Sequence, residues 1–184
     1  MSGALPVGAP RIAIFVDYEN VKGRERVRPH AILEAIKKDV SVFGIVASAK
    51  VYLALGRIND PTILPQATLY EIYKAGGEPV TVPSFVGGDG YVVKSLVDPE
   101  LICDLTEDPY VHPGIGVYCV ASGDKDMLSP IRRLRRNGKS VRLYAPEECA
   151  AILASEVEGY ADSASGVVKL PELLGSAMIT PAGG

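Results

Sequence analysis

The 184 residues carry 47% hydrophobic and 22% charged side chains with a net charge of −3, the make-up of one globular domain with its own core rather than of a disordered or fibrous chain. A pI near 5.5 excludes a uniformly basic polyanion binder, and three cysteines without a CxxC pair exclude a zinc finger and a disulfide framework. The opening MSGALPVGAP lacks the basic and apolar regions of a signal peptide, and no run of 18 apolar residues marks a membrane span, so a cytoplasmic protein without membrane contact is expected.

From the N-terminus, Ile12–Val16 (IAIFV) predicts a strand, apolar at every residue as in a sheet covered on both faces. A helix is predicted over 29–38, opened by Pro29, then a strand at Ala49–Leu53. A helix over 62–75 follows, opened by Pro61 and closed by Gly76 at its C′ position, and then a strand at Pro79–Val82. Residues 83–91 (PSFVGGDGY) read as a Gly-rich loop. Next come a helix over 98–107, a strand at Ile115–Val120, a helix over 127–137 closed by Gly138, and a strand at Val141–Tyr144. Beyond Ala145 the pattern weakens to a helix over 147–158, a short strand at Val167–Leu170 and a frayed end. This alternation predicts a doubly wound α/β domain, with a mainly parallel sheet of five or six strands, right-handed crossovers and helices on both faces.

Charge is sorted along the chain. Residues 22–28 hold four bases against one acid, residues 125–142 seven bases against one acid, and residues 89–108 six acids against one lysine. In an open parallel sheet, ligands bind beyond the carboxyl ends of the strands, where strand order reverses. The first and fourth predicted strands both run into acids, as IAIFVDYEN and VYCVASGDKD, so Asp17 and Asp124 meet there if these strands are neighbours. Asp126 follows two residues on, and Asp98 precedes Pro99. Each acid also has an ordinary use as a turn residue or helix N-cap, Asp98 with proline at N1 and Asp126 before a helix near Met127. Two carboxylates about 5 Å apart repel by roughly 3 kcal/mol at an effective dielectric of 20, so a stable cluster calls for a cation. Oxygen donors without histidine or cysteine suit Mg²⁺ or Mn²⁺. His30 and His112, each beside a proline, read as structural or solvent-facing.

These residues resemble a family. FVDYEN at 15–20 is similar to the F-[IV]-D-x-x-N opening of the NYN domain, and SGDKDMLSPIRRLRRNGKSV at 122–141 to its S-G-D-x-D-[FM]-x-P-x-x-[RK]-x-L-x-x-x-G-K-x-V element. KSLVDPELICD at 94–104 stands where the family carries K-G-V-D-x-x-L-x-x-D. The resemblance covers about residues 11–170, leaving 1–10 as a flexible N-terminal segment and 171–184 as a C-terminal tail. It implies a PIN-like, metal-dependent nuclease: Asp17, Asp98 and Asp124 as the catalytic, metal-binding acids, Asp126 as an outer ligand, and Asp104 facing the same cleft. It further implies that Asn20 orients Asp17 or contacts a phosphate, that Ser122 hydrogen-bonds a carboxylate or the scissile phosphate, and that Asp162 is structural. Three features depart from the family pattern. Lys125 separates Asp124 from Asp126 where a small polar residue is usual, and either weakens metal binding or holds a phosphate. The spacing from Lys94 to Asp98 is one residue longer, and Tyr18 replaces a common glycine with a ring that could stack on a base or narrow the cleft.

Lys22 and the bases after it, together with Arg132, Arg133, Arg135, Arg136 and Lys139, would flank this acidic pocket. At 100° per residue Ile131, Leu134 and Leu128 face the sheet and the arginines face outward, a layout suited to a polyanion. The expectation is a ribonuclease that hydrolyses single-stranded RNA with one or two Mg²⁺ or Mn²⁺ ions and, as the resemblance implies, leaves a 5′-phosphate and a 3′-hydroxyl. A non-catalytic RNA-binding or partner-binding NYN fold is the alternative, motivated by Lys125. A metal-dependent phosphatase or phosphoacceptor domain is a third reading, weakened by the lack of a DxDGT motif after the first strand. A homodimer or a protein partner is left open.

Overall fold

The computed structural model describes residues 8–22, 27–55, 66–86, 92–146, 151–158 and 162–178. β1 (Arg11–Asp17) leads through the one-turn helix α1 (Tyr18–Val21) into α2 (Pro29–Val40), β2 (Ile45–Leu55), α3 (Gln66–Lys74), β3 (Glu78–Val86) and β4 (Val92–Ser95). The chain continues with α4 (Val97–Val111), β5 (Ile115–Ala121), a 3-10 turn (Lys125–Met127), α5 (Leu128–Arg136), β6 (Ser140–Ala145), α6 (Ala151–Glu158), β7 (Gly166–Lys169) and α7 (Leu170–Met178). One seven-stranded sheet has the order β4-β3-β2-β1-β5-β6-β7. β4 is antiparallel to β3, and every other pair is parallel. The doubly wound reading is therefore correct, and strand order reverses between β1 and β5.

The apolar runs of the central strands exist because both faces are covered. In β1, Ile12, Ile14 and Val16 pack with residues of α2, α3 and α7, whereas Ala13 and Phe15 pack with residues of α4, α5 and α6. On the second face Phe15 lies between Tyr52 and Tyr118, with ring centroids 6.4 and 6.1 Å away. Those two tyrosines reach across to α4: Tyr52 donates to Asp104, and Tyr118 donates to Asp108 at 2.8 Å. Lys50 adds a 2.7 Å contact to Asp104. Two carboxylates one helical turn apart thus clamp α4 onto β2 and β5 and fix where its first turn meets the rim of the sheet.

Helix ends follow the expected chemistry where it was legible. Gly76 and Gly138 adopt φ of +72° and +71°, past the ends of α3 and α5, the left-handed C′ conformation that glycine reaches without a Cβ penalty. The N–H groups of Gly138 and Lys139 close α5 on the carbonyls of Arg135 and Leu134 at 2.9 and 3.1 Å. Three elements depart from expectation. β3 continues to Val86, inside the stretch read as a Gly-rich loop, and an unexpected strand, β4, begins at Val92 directly after that stretch. α1 occupies the turn after β1. α7 begins at Leu170, read as the end of a strand, and runs into residues assigned to the tail; Leu170 is buried, and Leu173 and Leu174 pack against the core. Pro61, the glycine-rich residues 87–91 and the expected helix start at 147–150 lie outside the described residues. Among the described residues no helix is long and apolar enough to cross a membrane.

Candidate active site

The register places Val16 beside Ala121 and Asp17 beside Tyr52, so the chain leaves β1 and β5 at one rim and turns to opposite layers. Asp17 is 2% exposed. Its Oδ1 accepts the Asn20 N–H at 3.2 Å, capping α1, and its Oδ2 accepts the fully buried Ser122 hydroxyl at 3.3 Å. Asn20 Oδ1 in turn accepts the Gly123 N–H at 2.7 Å, which ties the turn after β1 to the turn after β5. Ser122 Oγ also accepts the Asp124 N–H at 3.2 Å, and Asp124 Oδ1 accepts the Asp126 N–H at 2.9 Å, capping the 3-10 turn. Asp17 and Asp124 therefore both serve as N-caps, at the ends of two neighbouring strands.

Asp98 is not the N-cap expected of an Asp-Pro pair. α4 starts one residue earlier, at Val97, whose N–H is accepted by Ser95 Oγ at 3.1 Å, so Asp98 sits in the first turn without a capping bond. The positive end of the helix favours its charge there. The rim acids act on one another electrostatically. Burial pushes the Asp17 carboxyl up to about 7 against the Asn20 and Ser122 hydrogen bonds, and Asp98 and Glu19 raise it further. Asp98 is raised by burial and then by Asp124 and Asp126. The charged groups that act on Asp17 among the described residues are both acids, so its buried charge has no counter-charge among them.

That deficit and an all-carboxylate donor set fit a hard divalent cation. Among the described residues, however, no three His, Cys, Asp or Glu side chains stand close enough together to form a ready ion cage. The arrangement is an acidic rim with coupled charges rather than a formed coordination sphere.

Several expected site residues serve other ends. Tyr18 is 8% exposed and packs in the core beneath α2, so a base-stacking role does not fit it. Asp104 is turned to Lys50 and Tyr52 rather than to the cleft. Lys22, one turn past Asp17, pairs with Glu19, and the bases at 24 and 26 lie outside the described residues. The Arg135 side chain is 4% exposed and pairs with Asp162 at 3.1 Å and with Ser165, correcting the outward placement of all the α5 arginines. Hydrogen bonds from Ser165, Ser140 and Arg135 more than offset desolvation of Asp162 and hold its carboxyl below the usual range, so Asp162 is structural as expected. Lys139 Nζ donates to the carbonyls of Pro113 and Ile115 at 2.9 and 2.7 Å. Both histidines pair away from these acids, His30 Nδ1 2.9 Å from Glu71 and His112 Nδ1 2.9 Å from Asp108.

Lys125 opens the 3-10 turn directly after Asp124. It is exposed, has no ion-pair partner among the described residues, and lines an outer groove of about 610 Å³ together with Asp126, Arg132, Arg133 and Arg136. The residue that sequence reasoning missed is Gly123, whose N–H anchors Asn20; its only signal was its place inside the SGD motif.

The fold is thus a doubly wound α/β domain with acids at the point where strand order reverses. The family model of the NYN domain matches residues 11–164, and the chain belongs to the NYN domain family, consistent with the PIN-like superfamily. Domains of this family are generally nucleases and typically use divalent metals. The crystal structure of a protein of unknown function from Vibrio parahaemolyticus is similar over 90% of this chain and 95% of its own, with a TM-score of 0.63 and 23% identity, a likeness of fold. No curated protein sequence matches the chain.

Proposed function

We propose that the protein is a divalent-metal-dependent ribonuclease that hydrolyses phosphodiester bonds of single-stranded RNA. The observation that carries this reading is the buried Asp17, without a counter-charge among the described residues, raised to about 7 and coupled to Asp98, which is itself coupled to Asp124 and Asp126. Asp17, Asp98 and Asp124 would hold the ion, with Asp126 farther out. When bound, Mg²⁺ or Mn²⁺ supplies a water of lowered pKa and neutralises charge building on the phosphoryl oxygens.

The chain's own residues prepare for that chemistry. Ser122 and the Asn20 N–H hold the Asp17 carboxylate in one orientation, and the Asn20–Gly123 bond fixes the spacing of the two turns. Asp98 enters from α4, positioned by the Asp104 and Asp108 clamps. No protein nucleophile is needed, because the attacking group is water.

Labelled single-stranded RNA incubated with the protein and Mn²⁺ should be cut, leaving a 5′-phosphate, with loss of cutting in EDTA and at least 100-fold loss in Asp124→Asn, the scale of removing one transition-state charge contact. Equal cutting by wild type and variant would sink the reading. The lack of a ready ion cage among the described residues favours one second reading, a non-catalytic RNA-binding module, which EDTA-insensitive RNA binding without turnover would select.

A further inference from the structure

The five long basic side chains between Arg132 and Lys139 look alike in sequence, but the fold divides them. Arg132 is held by Glu156 at 2.8 Å, Arg135 by Asp162 and Ser165, and Lys139 by two main-chain carbonyls. Arg133 and Arg136 remain exposed, without an acidic partner among the described residues, as neighbours three apart on the helix surface. With Lys125 they line the groove of about 610 Å³ that starts at Asp126, so the cationic lane begins between two of the rim acids and runs away from them along α5. Its other walls are Ile102, Leu128, Ser129 and the Glu156-bound Arg132. Among the described residues the lining includes no aromatic ring to stack a base and no Asn or Gln side chain to read a base edge.

We propose that this groove is a sequence-independent subsite for the phosphate backbone of single-stranded nucleic acid, receiving the strand on one side of the acid rim through Lys125, Arg133 and Arg136. The identity of the polymer rests on the ribonuclease reading; the phosphate chemistry rests on cations that have no acidic partner among the described residues. Guanidinium forks match phosphate oxygens, and an acidic rim beside a basic lane sets the register of a strand without selecting its bases.

The test measures binding rather than cutting, so it stands apart from the nuclease assay. Fluorescence anisotropy with labelled 12-mers of oligo-U and oligo-A, in EDTA, is followed from 50 to 200 mM NaCl. Wild type should bind both oligomers with similar affinity. In Arg133→Gln/Arg136→Gln the slope of log K against log salt should shrink by about 1.4, for two lost single-strand phosphate contacts, equally for both oligomers. Lys38→Gln/Lys74→Gln, which removes the same charge from exposed positions on the α2–α3 layer, should keep the wild-type slope. No binding by wild type, an unchanged slope in the arginine variant, equal losses in both variants, or a strong preference for one oligomer would overturn the proposal. So would competition by polyglutamate as effective as by unlabelled oligo-U, which would mark a docking patch for acidic protein. Loss of binding in the arginine variant with no Mn²⁺-dependent cutting by wild type would sink the ribonuclease reading and leave the groove standing.

Discussion

Asp17 divides its two oxygens between a helix cap and the Ser122 hydroxyl while lying almost wholly out of water. In the folded, metal-free protein its carboxyl titrates near 7, against about 4 in an unfolded chain. Between those values the unfolded chain has released a proton that the folded chain keeps. Stability from this residue is therefore full below about pH 4, falls as pH rises towards 7, and levels off above it. Thermal melts in EDTA should show a lower Tm at pH 8 than at pH 5. Asp17→Asn keeps an oxygen to accept the Asn20 N–H and should remove most of the difference, on the order of 3 kcal/mol. Identical pH profiles for wild type and variant would mean that the buried carboxylate is compensated after all. The position of this residue was readable from sequence, since a strand ending in an acid is a local pattern. Its solvent exclusion was not, because that depends on Ser122, a residue 105 positions away.

At the scale of elements, α5 tests the division of its arginines. Arg135→Ala removes a nearly buried guanidinium that ties α5 to the turn before β7, and should cost about 2 kcal/mol in urea denaturation. Arg133→Ala and Arg136→Ala should each stay within about 0.5 kcal/mol of wild type, as exposed positions do. Three equal losses would contradict the division. Helical projection places Arg135 on the outer half of α5, and only the arrival of Asp162 and Ser165 from beyond α6 reveals that this flank is covered. The same limit explains the other departures. Six strands were legible because buried parallel strands are continuous apolar runs, whereas β4 is four residues long and follows glycines that point to a turn. α7 was hidden by Pro171 and by the glycine-rich end of the chain, although Leu170, Leu173 and Leu174 keep a helical spacing. The start of α4 was misplaced because Asp-Pro is a strong capping signal, and it yielded to the Ser95 hydroxyl two residues before Val97.

For the whole molecule, an ion held as proposed would compete with the proton for the same carboxylates. A ligand that binds only the folded state stabilises it by about 2.7 kcal/mol at a hundred times its Kd, and it must displace the proton that Asp17 keeps up to about pH 7. Mn²⁺ should therefore raise the Tm of wild type more at pH 8 than at pH 6, opposite to the slope of the metal-free protein, and should do little for Asp17→Asn. An equal Mn²⁺ shift in the variant would place the ion elsewhere. The bond from the Asn20 side chain to Gly123 carries a larger implication for what the molecule can accept. In doubly wound proteins ligands bind in the crevice where strand order reverses; here a side-chain bond crosses between the turns after β1 and β5 at that point. Under the proposed ribonuclease reading, a strand would lie across that bond on its way from the acid rim to the groove along α5.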